Sequence, residues 1–111
     1  MIDVLDLAEL ASSPTAALYE GARDGVELSF FVTNHPPGSG PRLHLHPYAE
    51  VFLVQEGHAT FVVGDDEVEV DAPSVLAVPP ETPHRFENTG KGPLRVVGVH
   101  PSRTVHQTDL S

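Results

Sequence analysis

The order of apolar and polar residues predicts a chain of short β-strands. Residues 26 to 34 alternate: the even-numbered positions from Val26 to Val32 are apolar, and the odd-numbered positions are mostly polar. A period of two is typical of a strand that buries one face, which we expect to be the even-numbered one. Phe31 interrupts the polar face, so this side chain requires cover from another part of the protein.

The following segments extend the same pattern. Residues 50 to 55 are apolar on both faces, which predicts a strand covered on both sides. We expect a second sheet on one side and a partner subunit on the other, as in a homodimer. In the segment at 67 to 71, Val68 and Val70 are predicted to point inward. Further strands are predicted at 58–63, 75–78, 84–87 and 94–99.

Short strands separated by glycine and proline turns, without a convincing amphipathic helix, indicate an all-β antiparallel barrel or jelly roll. The 111 residues suit one domain. We assign residues 24–101 to the barrel core, 1–22 to an N-terminal arm and 102–111 to a C-terminal tail. Apolar positions between Val4 and Leu10 fit either a short helix or a segment that covers a sheet edge.

Charge and composition narrow the class of partner. Sixteen acidic residues against six basic ones give a formal charge of −10, which repels phosphate backbones and anionic lipid, so nucleic acid and membrane are not expected partners. Cysteine is absent, which excludes thiolate metal ligands and fits a reducing compartment. The N-terminus lacks the pattern of a signal peptide, and we expect a cytoplasmic protein.

Metal-competent side chains cluster in the middle of the chain. His44, His46 and Glu50 share one parity, so an extended chain places them on the same face. His84 supplies a fourth candidate ligand. Imidazole and carboxylate together suit one divalent transition metal, namely Fe, Mn, Ni, Cu, Co or Zn. Glu50 has two candidate roles, as a ligand and as a catalytic general base.

Residues near these candidates are expected to bind a small-molecule substrate. Arg42 lies two residues before His44, and a guanidinium in that position would clamp a carboxylate or phenolate, although it is also a candidate surface residue. Phe52 and Phe86 are predicted to form apolar walls. Tyr48 is assigned either to the metal rim or to the surface. The remaining histidines are interpreted as exposed or locally hydrogen-bonded: His35, His58, His100 and His106.

Two motifs in this region resemble those of the cupin superfamily of small β-barrels. The first, G-x5-H-x-H-x3,4-E-x6-G, is matched in full between Gly38 and Gly57. The second, G-x5-P-x-G-x2-H-x3-N, is matched around His84, except that Pro73 and Glu81 stand at its two glycine positions. Both departures fall in turns and remove no candidate ligand, although the turns are expected to differ locally.

The resemblance implies a single-domain cupin with a metal held by the two histidines and the glutamate of the first motif and the histidine of the second. It also implies dioxygenase-like, isomerase or lyase chemistry on a small, anionic or oxygen-rich organic substrate. One fold hosts many functions, and the alternative is a cupin module that binds a small ligand without turnover. Many relatives exchange N-terminal arms in dimers, which implies the same for residues 1–22.

Overall fold

Two antiparallel sheets form the protein, and the computed structural model describes residues 2–111. The six-stranded sheet has the order β1-β2-β3-β10-β5-β8, and the five-stranded sheet has the order β11-β4-β9-β6-β7. No helix in this described range is long and apolar enough to cross a membrane. The all-β jelly-roll prediction is therefore confirmed. The strands are β1 Ala11–Ser13, β2 Ala16–Glu20, β3 Ser29–His35, β4 His44–Leu45, β5 Glu50–Glu56, β6 His58–Val63, β7 Asp66–Asp71, β8 Ser74–Val78, β9 His84–Asn88, β10 Leu94–His100 and β11 Thr108–Asp109.

The core lies between the two sheets and is built around three phenylalanines. Phe61 stacks on Phe86 with ring centroids 4.9 Å apart, and Phe52 meets Phe61 edge-on at 5.2 Å. Val54 and Leu94 are completely buried beside them. Burial of this apolar surface holds the sheets together, and it closes one end of the space between them.

The strand at 26–34 does not bury the even-numbered face alone as predicted, although Val32 of that face is buried. Regular pairing begins only at Ser29, and Val26 and Leu28 precede the strand and stay partly exposed. Phe31 pairs with Gly98 of β10, and it lines a cavity inside the barrel. The odd-numbered face is therefore the inner one. Phe31 is covered by the barrel interior, so it gives no support to a subunit interface.

Val68 also departs from its prediction, whereas Val70 is buried as expected. The register places Val68 opposite Phe61, but β7 is the edge strand of its sheet. At this edge the opposite sheet does not cover Val68, which stays exposed. Alternation thus identified the strand correctly, but it could not show how far the second sheet extends.

Both ends of the chain join the sheets. In the predicted arm, a capped 3-10 helix at Leu7–Leu10 is followed by β1 and β2, and β2 pairs with β3. In the predicted tail, β11 pairs with β4. Strand pairing therefore continues beyond residues 24–101 in both directions, which the short and weakly alternating segments did not reveal.

The two motif positions that lack glycine lie in turns, as expected. Glu81 adopts a left-handed conformation with φ of 58°, which glycine usually occupies because it has no Cβ. Its N–H donates to the carbonyl of His46 over 2.8 Å. The turn therefore keeps the backbone shape that the motif requires, and it connects the second motif to the strand region that carries the first.

Removing buried volume from the core should lower stability in proportion to burial. Val54 is 0 % exposed, and Val54→Ala is expected to reduce the free energy of unfolding by about 2–3 kcal/mol, because it loses two methyl groups and leaves a cavity. Val26 is 42 % exposed, so the matched Val26→Ala change is expected to cost less than about 0.5 kcal/mol. Denaturant unfolding monitored by circular dichroism measures both. Equal losses would contradict the assigned core.

Candidate metal centre

The structure brings the four predicted ligands together. One ligand atom from each lies within 4.8 Å of the others, and all four side chains are buried. His44 and His84 face each other across the β4–β9 pair, while Glu50 begins β5 on the opposite sheet. The site therefore lies between the sheets, and the antiparallel pairing sets the separation of its histidines.

The protonation of the three imidazoles follows from their backbone contacts. A carbonyl oxygen only accepts hydrogen bonds, so each Nδ1 that contacts one must carry the proton. In a neutral ring, the lone pair then lies on Nε2, which is the form that ligates a metal. The contacts are His44 Nδ1 to the Arg42 carbonyl at 2.5 Å, His46 Nδ1 to the His106 carbonyl at 2.7 Å, and His84 Nδ1 to the Thr82 carbonyl at 2.8 Å.

When the rings are neutral, these Nε2 lone pairs face a carboxylate oxygen, and no hydrogen bond can form between the two acceptors. Glu50 Oε1 lies 3.0 Å from Nε2 of His46 and 3.2 Å from Nε2 of His84. Nε2 of His46 is buried and has no well-aligned hydrogen-bond partner within the described residues. A set of buried acceptors facing one another is unfavourable unless a cation or an extra proton lies among them. The donor set therefore fits a divalent metal.

The electrostatics of the site favour ligation over base catalysis by Glu50. Burial raises the pKa of this carboxyl, but the N–H groups of His100, His46 and His84 outweigh burial whenever those imidazoles donate to it, and they hold the pKa well below its usual range. A carboxylate with a low pKa is a weak base. Burial lowers the pKa of His44, which favours its neutral, ligating form.

His46 behaves differently from His44. Burial lowers its pKa, but contact with the Glu50 carboxylate and the bond to the His106 carbonyl reverse the direction, and the pKa is raised overall. A proton therefore competes with a metal at Nε2 of His46. Metal binding at this site should release protons, as is general for imidazole ligands.

Space for the Glu50 carboxylate is provided by a glycine. Gly98 of β10 pairs with Phe52 next to Glu50, and a Cβ built on Gly98 would lie only 2.5 Å from Glu50 Oε2. Contacts this short do not occur in real structures, and Glu50 is too closely surrounded to move freely. Gly98 is therefore a part of the site that the family motifs do not include.

A cavity of about 240 Å³ is lined by three of the four candidate ligands, namely His44, His46 and Glu50. Phe52 and Phe86 line it, as predicted, and Phe31 joins them. No lysine or arginine is among its lining residues in the described chain, and Glu50 is the one carboxylate there. The full lining is Ala16, Phe31, Thr33, His35, Pro41, His44, His46, Glu50, Phe52, Phe86, Val96, Gly98, His100 and Gln107.

Arg42 and Tyr48 do not line this cavity. The Arg42 side chain is exposed, and the residue instead contributes its carbonyl to His44. The parity argument failed for Arg42 because regular strand geometry begins only at His44. Tyr48 stacks on His46 with ring centroids 5.3 Å apart, so it contacts a candidate ligand from behind rather than a substrate.

Two histidines that were interpreted as exposed or locally bonded reach the interior. His100 is buried, and its Nε2 lies 3.1 Å from Glu50 Oε2. His35 lines the cavity and meets Phe86 edge-on at 5.0 Å. The sequence did indicate the burial of His100, because His100 follows Leu94, Val96 and Gly98 at every second position of β10, and these positions face inward.

The barrel and its buried cluster of three histidines and one glutamate define a jelly-roll protein with a candidate metal site. The sequence model of the cupin domain matches residues 31–100, and the chain belongs to this family. An uncharacterized protein of Methanocaldococcus jannaschii is 31% identical over 81 residues, which are 72% of this chain and 65% of that protein.

Solved structures support the same fold. Oxalate decarboxylase of Bacillus subtilis, in a structure at pH 4.6, superposes with a TM-score of 0.84 at 21% identity, over 94% of this chain and 30% of that one. Another structure of this enzyme, from work on its Mn(II) centres, gives a TM-score of 0.83 at 21% identity, over 94% of this chain and 31% of that one. At this identity the likeness concerns the fold alone, and the chain spans under a third of the enzyme's length.

Filling the space beside Glu50 should weaken metal binding. Gly98→Ala is expected to displace the carboxylate and to lower affinity for Mn²⁺ or Zn²⁺ by about tenfold or more. Gly92→Ala is the matched control, because a Cβ on Gly92 meets nothing within 4 Å. Isothermal titration calorimetry on the folded variants measures the difference. Unchanged affinity in Gly98→Ala would show that metal binding does not depend on the space that Gly98 leaves for Glu50 Oε2.

Proposed function

We propose that the protein is a metal-dependent enzyme that holds one divalent transition metal through His44, His46, Glu50 and His84. The observation that carries this proposal is the convergence of Nε2 lone pairs on one oxygen of a buried carboxylate. Imidazole and carboxylate ligands suit Fe, Mn, Ni, Cu, Co and Zn, and Mn(II) occurs in oxalate decarboxylase, whose fold this chain shares. Such a metal polarises a bound oxygen atom of a substrate or activates dioxygen.

The cavity favours a small substrate with an apolar body and oxygen donors at one end. Phe31, Phe52 and Phe86 offer aromatic surface, which excludes water and contacts carbon rather than charge. Because no lysine or arginine lines the cavity in the described chain, the metal would be the main group that neutralises a negative substrate. We therefore favour diphenols and β-diketones over sugar phosphates, with dioxygenase-like or isomerase and lyase chemistry as the reaction classes.

A second candidate function is capture of such a ligand without turnover. It is favoured by the state of Glu50, whose two oxygens are both contacted by imidazoles and whose pKa is held low. Glu50 is therefore a poor proton acceptor, and no other carboxylate lines the cavity in the described chain. Chemistry that depends on a carboxylate base is not supported, whereas ligand binding remains compatible with this arrangement.

Elemental analysis and assays on one set of variants test the metal site and separate the two functions. Wild-type protein is expected to hold about one metal ion, and His84→Ala is expected to lose it because one of four ligands is removed. His106→Ala is the control, since the exposed His106 side chain is not a ligand and its backbone contacts persist. Turnover of a diphenol or β-diketone by wild type, lost in His84→Ala, supports the enzyme.

Other results of these assays have distinct meanings. A compound from the same panel that raises the melting temperature of the metal-loaded protein but is recovered unchanged supports the binding function. Oxalate and a sugar phosphate complete the panel, and preferential turnover of either would contradict the inference drawn from the absence of lysine and arginine among the cavity-lining residues of the described chain. A wild-type protein that holds no metal after reconstitution would overturn both functions.

We also propose that the outer face of the six-stranded sheet associates with a second copy of the chain. The register places apolar side chains of neighbouring strands side by side on this face, away from the core. Val51 and Val75 are 40 % and 67 % exposed there. A continuous apolar patch of this kind is typical of an interface. Its members include Val51 and Leu53 of β5, Val75 and Ala77 of β8, and Val97 and Val99 of β10.

Charge introduced on this face should prevent association. Wild-type protein is expected to sediment as a dimer at micromolar concentration, and Val75→Asp is expected to sediment as a monomer, because the interface would bury an unpaired carboxylate. Val68→Asp is the control, since Val68 is 46 % exposed on an edge strand of the other sheet. Sedimentation velocity makes the comparison. A monomeric wild type would refute the proposed interface.

A further inference from the structure

Behind the candidate ligands lies a chain of three polar contacts. The backbone N–H of His106 donates to the Tyr48 hydroxyl over 3.1 Å. That hydroxyl lies 2.7 Å from Nδ1 of His100, and Nε2 of His100 lies 3.1 Å from Glu50 Oε2. His100 is 1 % exposed, so water does not replace the contact between His100 and Glu50. This series of contacts ends on the Glu50 oxygen that faces away from His46 and His84.

The available donors and acceptors determine the direction of each hydrogen bond in this series of contacts. The Tyr48 oxygen accepts from His106, and its own proton has one acceptor within reach in the described residues, Nδ1 of His100. If Nδ1 carried a proton instead, the Tyr48 proton would be left without a partner. The bare Nε2 would then face a carboxylate oxygen at 3.1 Å. A bare Nε2 that faces a carboxylate is unfavourable at this buried position, and the lost Tyr48 hydrogen bond adds to the cost. The proton of a neutral His100 therefore belongs on Nε2.

His100 is therefore opposite in tautomer to the three candidate ligands. His44, His46 and His84 direct N–H groups at carbonyls and lone pairs at the site. His100 directs an N–H at the carboxylate, which rules it out as a ligand through Nε2. The line from this nitrogen to Oε2 departs from ideal hydrogen-bond alignment, so the attraction between N–H and carboxylate is chiefly electrostatic.

We infer that Tyr48 and His100 form a positioning pair for Glu50. Tyr48 fixes the proton of His100 on Nε2, and His100 holds Oε2, so that Glu50 presents only Oε1 to a metal. This inference rests on the proposed metal site and adds two residues outside the ligand set. Contacts of this kind around a ligand commonly change metal affinity by about 10–100-fold when they are removed. If a metal were held here, ligation by one oxygen of Glu50 would leave room for a substrate oxygen to bind beside it.

The first test needs no metal. Long-range 15N–1H correlation spectra of the metal-free protein, recorded at mildly alkaline pH so that the rings are neutral, distinguish the two tautomers of each histidine. We expect His100 with its proton on Nε2, and His44 and His84 with theirs on Nδ1. A His100 with its proton on Nδ1 would overturn the positioning pair, whatever the metal content of the protein.

The second test uses matched variants with Mn²⁺ as the probe. Tyr48→Phe and His100→Leu are expected to lower Mn²⁺ affinity about 10–100-fold and to alter the electron paramagnetic resonance spectrum of the bound ion. His100→Gln, whose amide N–H can replace Nε2, is expected to restore much of the affinity. Tyr19→Phe is the control for Tyr48→Phe, because the Tyr19 hydroxyl bonds Asp24 at the surface.

The outcomes separate this inference from the proposed function. If wild type binds Mn²⁺ and the variants at Tyr48 and His100 bind it with unchanged affinity and spectrum, the positioning pair is wrong and the metal site stands. Loss of thermal stability alone, with an unchanged spectrum, would likewise reduce the pair to a structural role. If wild type binds none of the proposed metals, the metal site fails and the inference fails with it.

Discussion

The site depends above all on three hydrogen bonds between imidazole Nδ1 atoms and backbone carbonyls. Each bond fixes one proton on the outer side of a ring and leaves a lone pair on the inner side. Without them, a neutral ring could rotate its donor towards Glu50 and satisfy the carboxylate directly. With them, the three candidate histidine ligands present only lone pairs to the site around Oε1 of Glu50, and a bound cation becomes the natural way to satisfy these acceptors together.

The carbonyls come from parts of the chain that the barrel must first bring together. The strand region of His44 and the turn before His84 supply two of them locally. The third, at His106, belongs to the C-terminal segment, and the N–H of the same residue donates to Tyr48. Pairing of β11 with β4 holds this segment against the site. The C-terminal segment is thus a structural part of the candidate centre, and the candidate ligands depend on its folding.

Much of this could be predicted from the sequence, because strand parity and motif spacing are local properties. Motif spacing identified His44, His46 and Glu50 as one cluster, but strand parity does not explain it, because His44 lies in β4 and Glu50 begins β5 of the opposite sheet. The seven main strands were predicted within a few residues of their observed limits. Contacts between distant segments were not predictable in this way. The inner face of β3 depends on its pairing with β10, and the burial of His100 depends on the sheet opposite it. The prediction that Arg42 points into the cavity failed because the alternation of side chains applies only within a regular strand, and Arg42 lies before β4 begins.

The charges in the cavity place a final constraint on its chemistry. Glu50 supplies the one formal charge among the lining residues of the described chain, and its contacts with imidazoles keep it ionised. A divalent ion bound there would leave the centre with a single net positive charge, because the imidazole ligands are neutral. A singly charged oxygen donor balances that charge, whereas a dianion exceeds it in an aromatic cavity that offers no further cation. Together with the proposed metal site, the cavity wall therefore supports the proposed substrates, small apolar molecules that bind through oxygen as monoanions.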